Sequence, residues 1–205
     1  MKYERAACAF HPSMGGVHMR KSSVLFVTTL STLSTLGVGL LGPVYPIFII
    51  NRFSASAVDL GILYAIFCLT TAFFKVLAGK LVDNFGKSMV FFIGVVFGAV
   101  CSLSYIFALD MTQLYLIEFF YGLSYALQRP ALLALMFDAS NTCNRGLFLG
   151  MFESIYDFTE AFAAVFSVII VSKFGFEPLF LMCSGCQATT GILILRAENK
   201  PFLRH

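Results

Sequence analysis

The chain has 205 residues, of which 59% are hydrophobic and 12% charged, with a mean hydropathy of +0.85 and a formal net charge of +3. Charged residues run near a quarter in soluble domains, so this composition excludes an ordinary water-soluble core and makes lipid the solvent. Apolar runs of about 20 residues recur, the length a helix needs to cross about 30 Å of hydrocarbon, and the short alternation of barrel strands is missing; the fold class is all-α and polytopic.

Residues 1–22 form a short tail. Arg20 and Lys21 precede an apolar stretch, but it is too long for the roughly 7–15 apolar residues of a cleaved signal and shows no evident cleavage site. The tail therefore enters a retained first span, Ser23 to Ile50. Within it, Leu36-Gly37-Val38-Gly39-Leu40-Leu41-Gly42-Pro43-Val44-Tyr45-Pro46 places two prolines three apart. Each removes a backbone donor, so they either kink the helix near its outer end or end it.

A second span covers Ala57 to Ala78 and is followed by Gly79-Lys80-Leu81-Val82-Asp83-Asn84-Phe85-Gly86-Lys87-Ser88, which reads as a polar loop. Gly79 and Gly86 permit a tight turn and close helix approach, while Asp83 offers an acceptor to a helix amino terminus or an arginine. In the alternative, Asp83 and Lys87 are solvated loop charges. The third span is Met89 to Ala108, with Gly94-x-x-x-Gly98 suited to close packing inside the bundle.

The fourth span, Thr112 to Phe137, carries Glu118, Gly122, Tyr125 and Arg129 on one helical face and Pro130 in its interior. The fifth, Gly146 to Val171, opens with Gly146-x-x-x-Gly150 and places Glu153, Asp157 and Glu160 within about 60° of one another, over about 10 Å of helix axis. The sixth is Pro178 to Leu195, and 196–205 are a second tail. The bundle thus occupies 23–195, with connections too short for a soluble domain.

Orientation follows the excess of Lys and Arg that marks the cytoplasmic side. With the amino terminus inside, Lys2, Arg5, Arg20, Lys21, Lys75, Lys80, Lys87, Arg145, Arg196, Lys200 and Arg204 are cytoplasmic, against Arg52 and Lys173 outside. Both termini are then cytoplasmic, in a plasma (inner) membrane. The positive charge is a topology signal, and nucleic acid is not an expected partner.

The Gly79 to Ser88 stretch resembles the signature of the major facilitator superfamily, Gly-x-Leu-x-Asp-basic-x-Gly-basic-basic. Gly79, Leu81, Asp83, Gly86 and Lys87 match it, whereas Asn84 and Ser88 stand where basic residues are usual. The Leu36 to Pro46 stretch resembles Leu-Gly-x5-Pro-Val-x-Pro, from the first helix of that superfamily's drug and proton antiporters. Together with six spans, the resemblance covers almost the whole chain and implies the amino-terminal half of such a transporter: six helices as two inverted three-helix repeats. It implies that Asp83 belongs to a cytoplasmic latch, partly against the other half, and that Pro130 in the fourth helix corresponds to Pro43 and Pro46 in the first. Two positions depart from the pattern. Glu118 precedes Gly122 at the spacing where proton-coupled members carry arginine, and the fifth-helix signature of glycines and prolines is replaced by the acidic face.

Three carboxylates at bilayer depth, each costing roughly 2.5–3.5 kcal/mol on insertion scales, must meet water or partners or keep a proton. A turn centred near Asn141 and Thr142 sets Arg129 level with about Ser154, so Arg129 is expected to pair with Glu153. Asp157 and Glu160 are left as candidates for proton or cation exchange, with Glu118 in the same set. The alternative is a static charge network, or an acidic face packed on a partner subunit.

Six cysteines, Cys8, Cys68, Cys101, Cys143, Cys183 and Cys186, imply no disulfide framework, and Cys183-Ser184-Gly185-Cys186 reads as small-residue packing. His11, His18 and His205 lie in the tails, so neither a metal site nor a cofactor is expected, and no catalytic constellation marks an enzyme. The expected function is half-size secondary transport of a small solute, with proton coupling and a second six-helix half, as a homodimer or with a separate half. A non-transporting assembly protein, or a half cut from a longer transporter, is the alternative.

Overall fold

A computed structural model of the chain describes residues 21–139 and 145–198. Seven helices run through them: α1 Lys21–Gly39, α2 Tyr45–Phe53, α3 Ala57–Phe85, α4 Lys87–Phe107, α5 Met111–Ala139, α6 Arg145–Phe174 and α7 Glu177–Glu198. Both tails beyond these limits, with Cys8, Cys143, the histidines and the turn at Asn141 and Thr142, lie outside the described residues.

The first expected span is two helices. After Gly39 the chain turns through Leu40 to Val44 and restarts at Tyr45, with Pro46 in the first turn of α2, where its missing N–H costs nothing. Pro43 thus stands in the break itself. Pro130, by contrast, is accommodated inside the continuous α5. α3, α4, α6 and α7 are long and apolar enough to cross a membrane, while the apolar stretch of α1, Val24–Gly39, is shorter.

The stretch from Gly79 to Ser88 is not a loop. α3 continues to Phe85, seven residues past the expected end, and only Gly86, at φ 91° and ψ 147°, separates it from α4. That backbone conformation favours glycine, which is the physical reason the break falls there. At the opposite end Ser56 caps α3 reciprocally with Asp59, the Ser56 hydroxyl accepting from the Asp59 N–H and the Asp59 carboxylate accepting from the Ser56 N–H.

Helix α5 is the hub, packing against α3 and α4 and touching α1. Each of these contacts has a counterpart: α6 packs on α1 as α3 packs on α5, and α7 packs on α1 as α4 packs on α5, with α4 against α7 between them. Glycines set the closest crossings. A side chain at Gly122 would lie 2.9 Å from the Phe67 carbonyl oxygen of α3, and one at Gly94 or Gly98 would meet Gln128 or Ser124 of α5. Gly146 and Gly150, read as a packing pair like Gly94 and Gly98, have nothing within 4 Å among the described residues.

Two apolar clusters occupy the two ends of the bundle, one around Phe48, Leu114 and Phe180, the other around Phe91, Leu135 and Ile194. A polar layer lies between them. Ser34 Oγ donates to Gln128 Oε1 at 2.9 Å, and Gln128 Nε2 donates to the Gly94 carbonyl at 3.1 Å and to Ser124 Oγ at 2.9 Å. Such interhelical bonds contribute on the order of 0.6 kcal/mol each in a membrane, so the layer fixes register more than it adds stability.

Candidate functional site

Arg129 precedes the interior proline of α5 and reaches across to α6. Its Nη2 donates to both carboxylate oxygens of Glu153 at 2.8 Å, the pairing the hairpin register implies. The geometry is charge-assisted, and both side chains keep partial exposure, 18% and 37%. The guanidinium also lies over the Tyr156 ring, 4.4 Å from its centroid, while Nη1 is buried with no partner among the described residues.

Above this pair is a small open pocket lined by Ser34 and Thr35 of α1, Tyr125, Gln128 and Arg129 of α5, and Tyr156 of α6. Lys75 adds a second cation, its Nζ 5.5 Å from the centroid of Tyr125. Because α3 runs ten residues further to Phe85, Lys75 stands about 15 Å of helix short of that end. The chemistry is that of a small cleft, mostly apolar and aromatic at its surface, with the neutralised Arg129 in its wall and Lys75 exposed beyond its lining.

The other acids separate. Asp157 and Glu160 are exposed along α6, and Glu160 lies against α1 at Gly39, where an added side chain would be 3.4 Å from its Cγ. Glu118 does not join Arg129. It is buried in the apolar cluster at the other end of α5, accepting a hydrogen bond from Tyr105 Oη at 2.7 Å. A shared helical face over eleven residues spans two different environments.

In the Gly79 to Ser88 motif, Lys87 pairs with Asp138 and so ties the start of α4 to the end of α5. Asp83 is exposed and makes no hydrogen bond or ion pair among the described residues. A side chain at Gly79 would meet nothing within 4 Å, so the close approach expected there is absent among the described residues. Cys183 and Cys186 are free thiols, Cys183 buried with its carbonyl against Gly37, as small-residue packing implies. Tyr156, Asp138 and the contact of Lys75 with Tyr125 escaped the sequence reading. Lys75 and Tyr156 had a signal: a lysine deep in an apolar run, and an aromatic three residues from Glu153 on its face.

The sequence model of the Major Facilitator Superfamily matches residues 27–204. An uncharacterized MFS-type transporter of Methanocaldococcus jannaschii is 23% identical over 160 residues, 78% of this chain and 41% of the relative. Multidrug resistance protein 1 of Bacillus subtilis is 28% identical over 134 residues, 64% of this chain and 34% of the relative. Quinolone resistance protein NorA of Staphylococcus aureus is 27% identical over 120 residues, 58% of this chain and 31% of the relative. The chain spans well under half the length of these curated relatives.

Proposed function

Because the chain belongs to the major facilitator superfamily, we propose that it forms one six-span bundle of a secondary active transporter, moving a small solute by alternating access with a second six-helix bundle. In this reading α1 with α2 makes one span, α5 another, and the matched contacts of α1, α3, α4 with α5, α6, α7 express two inverted three-helix repeats. The second bundle is a second copy, a separate chain, or the remainder of a longer protein. Both termini lie on the cytoplasmic side of a plasma (inner) membrane, in line with the Lys and Arg bias.

The observation that carries the reading is the Arg129–Glu153 pair, with Arg129 in the wall of a small aromatic cleft between helices that this reading sets in the membrane. Charged side chains there are expensive and mark solute or proton pathways. The aromatic lining and the exposed Asp157 and Glu160 suit an apolar or cationic solute of the kind that the names of the multidrug and quinolone resistance relatives indicate. Proton coupling runs through the acids of this bundle. A non-transporting assembly protein would also use the open faces of α3 and α6, but it gains nothing from the insertion cost of these charges.

Uptake into vesicles, measured against an imposed pH gradient, tests the assignment. Asp157→Asn combined with Glu160→Gln is expected to reduce gradient-driven uptake about tenfold or more and to flatten its pH dependence, within the range of general acid–base contributions. Unchanged uptake with unchanged pH dependence would remove these two acids from the coupling path.

A further inference from the structure

Gln187 of α7 is 0% exposed, and neither its Oε1 nor its Nε2 has a hydrogen-bond partner among the described residues. It stands where α7 crosses α1 and α4. A side chain at Gly37 of α1 would lie 3.2 Å from Gln187 Nε2 and 3.2 Å from the Cys183 carbonyl oxygen, and one at Gly98 of α4 would lie 3.5 Å from Gln187 Cδ. The same point at Gly98 is 3.0 Å from Gln128 Nε2, so the glutamines of α5 and α7 reach one crossing. Their situations are unlike. Gln128 engages both amide atoms, with Ser34, Ser124 and the Gly94 carbonyl. Gln187 engages neither, and among the described residues no side chain of α7 hydrogen-bonds to another helix; Thr189 and Thr190 return to carbonyls of α7 itself.

A primary amide shut away from solvent forfeits the hydrogen bonds that water gave it, and folded proteins leave very few such groups unpaired. The chemistry of the missing partner follows from the amide. A cation would engage Oε1 and leave Nε2 idle, and an anion would do the reverse; the groups bordering the amide at Gly37 and Gly98 carry no charge to balance either. Water both donates and accepts, so one molecule can accept from Nε2 and donate to Oε1. Its second proton has the Cys183 carbonyl, which borders the same space one turn earlier on α7 and keeps a second lone pair. That makes about three hydrogen bonds, the usual number for a buried water. Glycine at 37 and 98 keeps side chains off both flanks of the amide, and a methyl at position 37 would occupy the space between Nε2 and that carbonyl.

We propose that Gln187 holds an internal water molecule at the crossing of α1, α4 and α7, which carries the polar layer of Ser34, Gln128 and Ser124 on to α7. No covalent bond is made or broken. The site belongs to the folded bundle and rests on neither a solute, a coupled proton nor a second bundle.

X-ray radiolysis followed by mass spectrometry reads such a site, because radicals formed from a held water oxidise its neighbours even where bulk water does not reach. Cys183 and Met136 are 0% and 1% exposed, and Met136 sits in the apolar cluster around Phe91. The purified full chain is irradiated in lipid nanodiscs, with each rate divided by that of the same residue in the denatured chain. On this scale Cys183 is expected to be modified several-fold faster than Met136. Gln187→Leu brings Cys183 down to the protection of Met136, and so does Gly37→Ala, whose methyl takes the space. Equal protection of the two residues in the parent chain overturns the proposal, as does fast modification of Cys183 that survives Gln187→Leu. Should Gln187→Leu fail to fold, Gly37→Ala and the comparison within the parent chain decide.

Discussion

α4 and α7 differ from α3 and α6 in a way composition does not predict. Their apolar windows have mean hydropathies of 2.3 and 1.5 against 2.0 and 1.6, yet 44% of each window is buried in α4 and α7 and only 17% in α3 and α6. The glycines on the two sets follow suit with one exception, Gly185 of α7, which meets nothing within 4 Å among the described residues. Gly94, Gly98 and Gly191 have side chains against them, while Gly79, Gly146 and Gly150 face open space. Hydrophobicity here specifies residence in the membrane; which neighbour covers a helix is specified by small residues and by the polar layer, features that carry shape and direction.

The comparison breaks most sharply at the inner side of α3. Gly122→Val would drive a side chain onto the Phe67 backbone, where little can yield, and is expected to cost about 3 kcal/mol, seen as reduced yield and a lower unfolding temperature in detergent. A variant as stable as the parent would show that α3 seats elsewhere. Next in size is Arg129→Ala, which strands Glu153. Complete burial would cost about 3–5 kcal/mol, and the exposure of the pair reduces this to roughly 2 kcal/mol. Adding Glu153→Gln should recover much of the loss, a coupling that a double-mutant cycle in thermal unfolding measures directly. The smallest effects belong to the open faces. Gly79→Ala and Gly150→Ala should leave this chain unchanged or up to about 1 kcal/mol more stable, since alanine suits a helix better than glycine. Reduced uptake with unchanged stability in these two variants would mark the face a second bundle covers, and a loss of stability in the chain alone would contradict the open packing.

Much of this arrangement is legible in the residues, and the exceptions have physical causes. The Arg129–Glu153 pair follows from counting back along an antiparallel hairpin, because register on a short turn is a local property. The boundary between α3 and α4 was misplaced because Gly79 looked like a breaker; helical glycine costs only about 1 kcal/mol, and Gly86 alone has a backbone conformation that ends the helix. The same reading left Lys75 three residues from the helix end, where ten follow it. Glu118 was grouped with Arg129 by helical periodicity, which gives the face of a residue but not which helix covers that face over eleven residues. The break in the first span was visible as two prolines, though whether they bend or end a helix depends on the turn at Leu40 to Val44 and on Phe48 and Ile49 finding a core beyond it.

Lipid-phase photolabelling in the native membrane tests most directly whether a second bundle completes this one. Phe73 of α3 and Phe162 of α6 are 69% and 64% exposed in the chain, and Val100 of α4 and Leu181 of α7 are 57% and 56% exposed. A carbene reagent dissolved in the bilayer is expected to label Val100 and Leu181 several-fold more than Phe73 and Phe162, because the latter lie under the second bundle. Equal labelling of all four would leave α3 and α6 facing lipid and contradict the account.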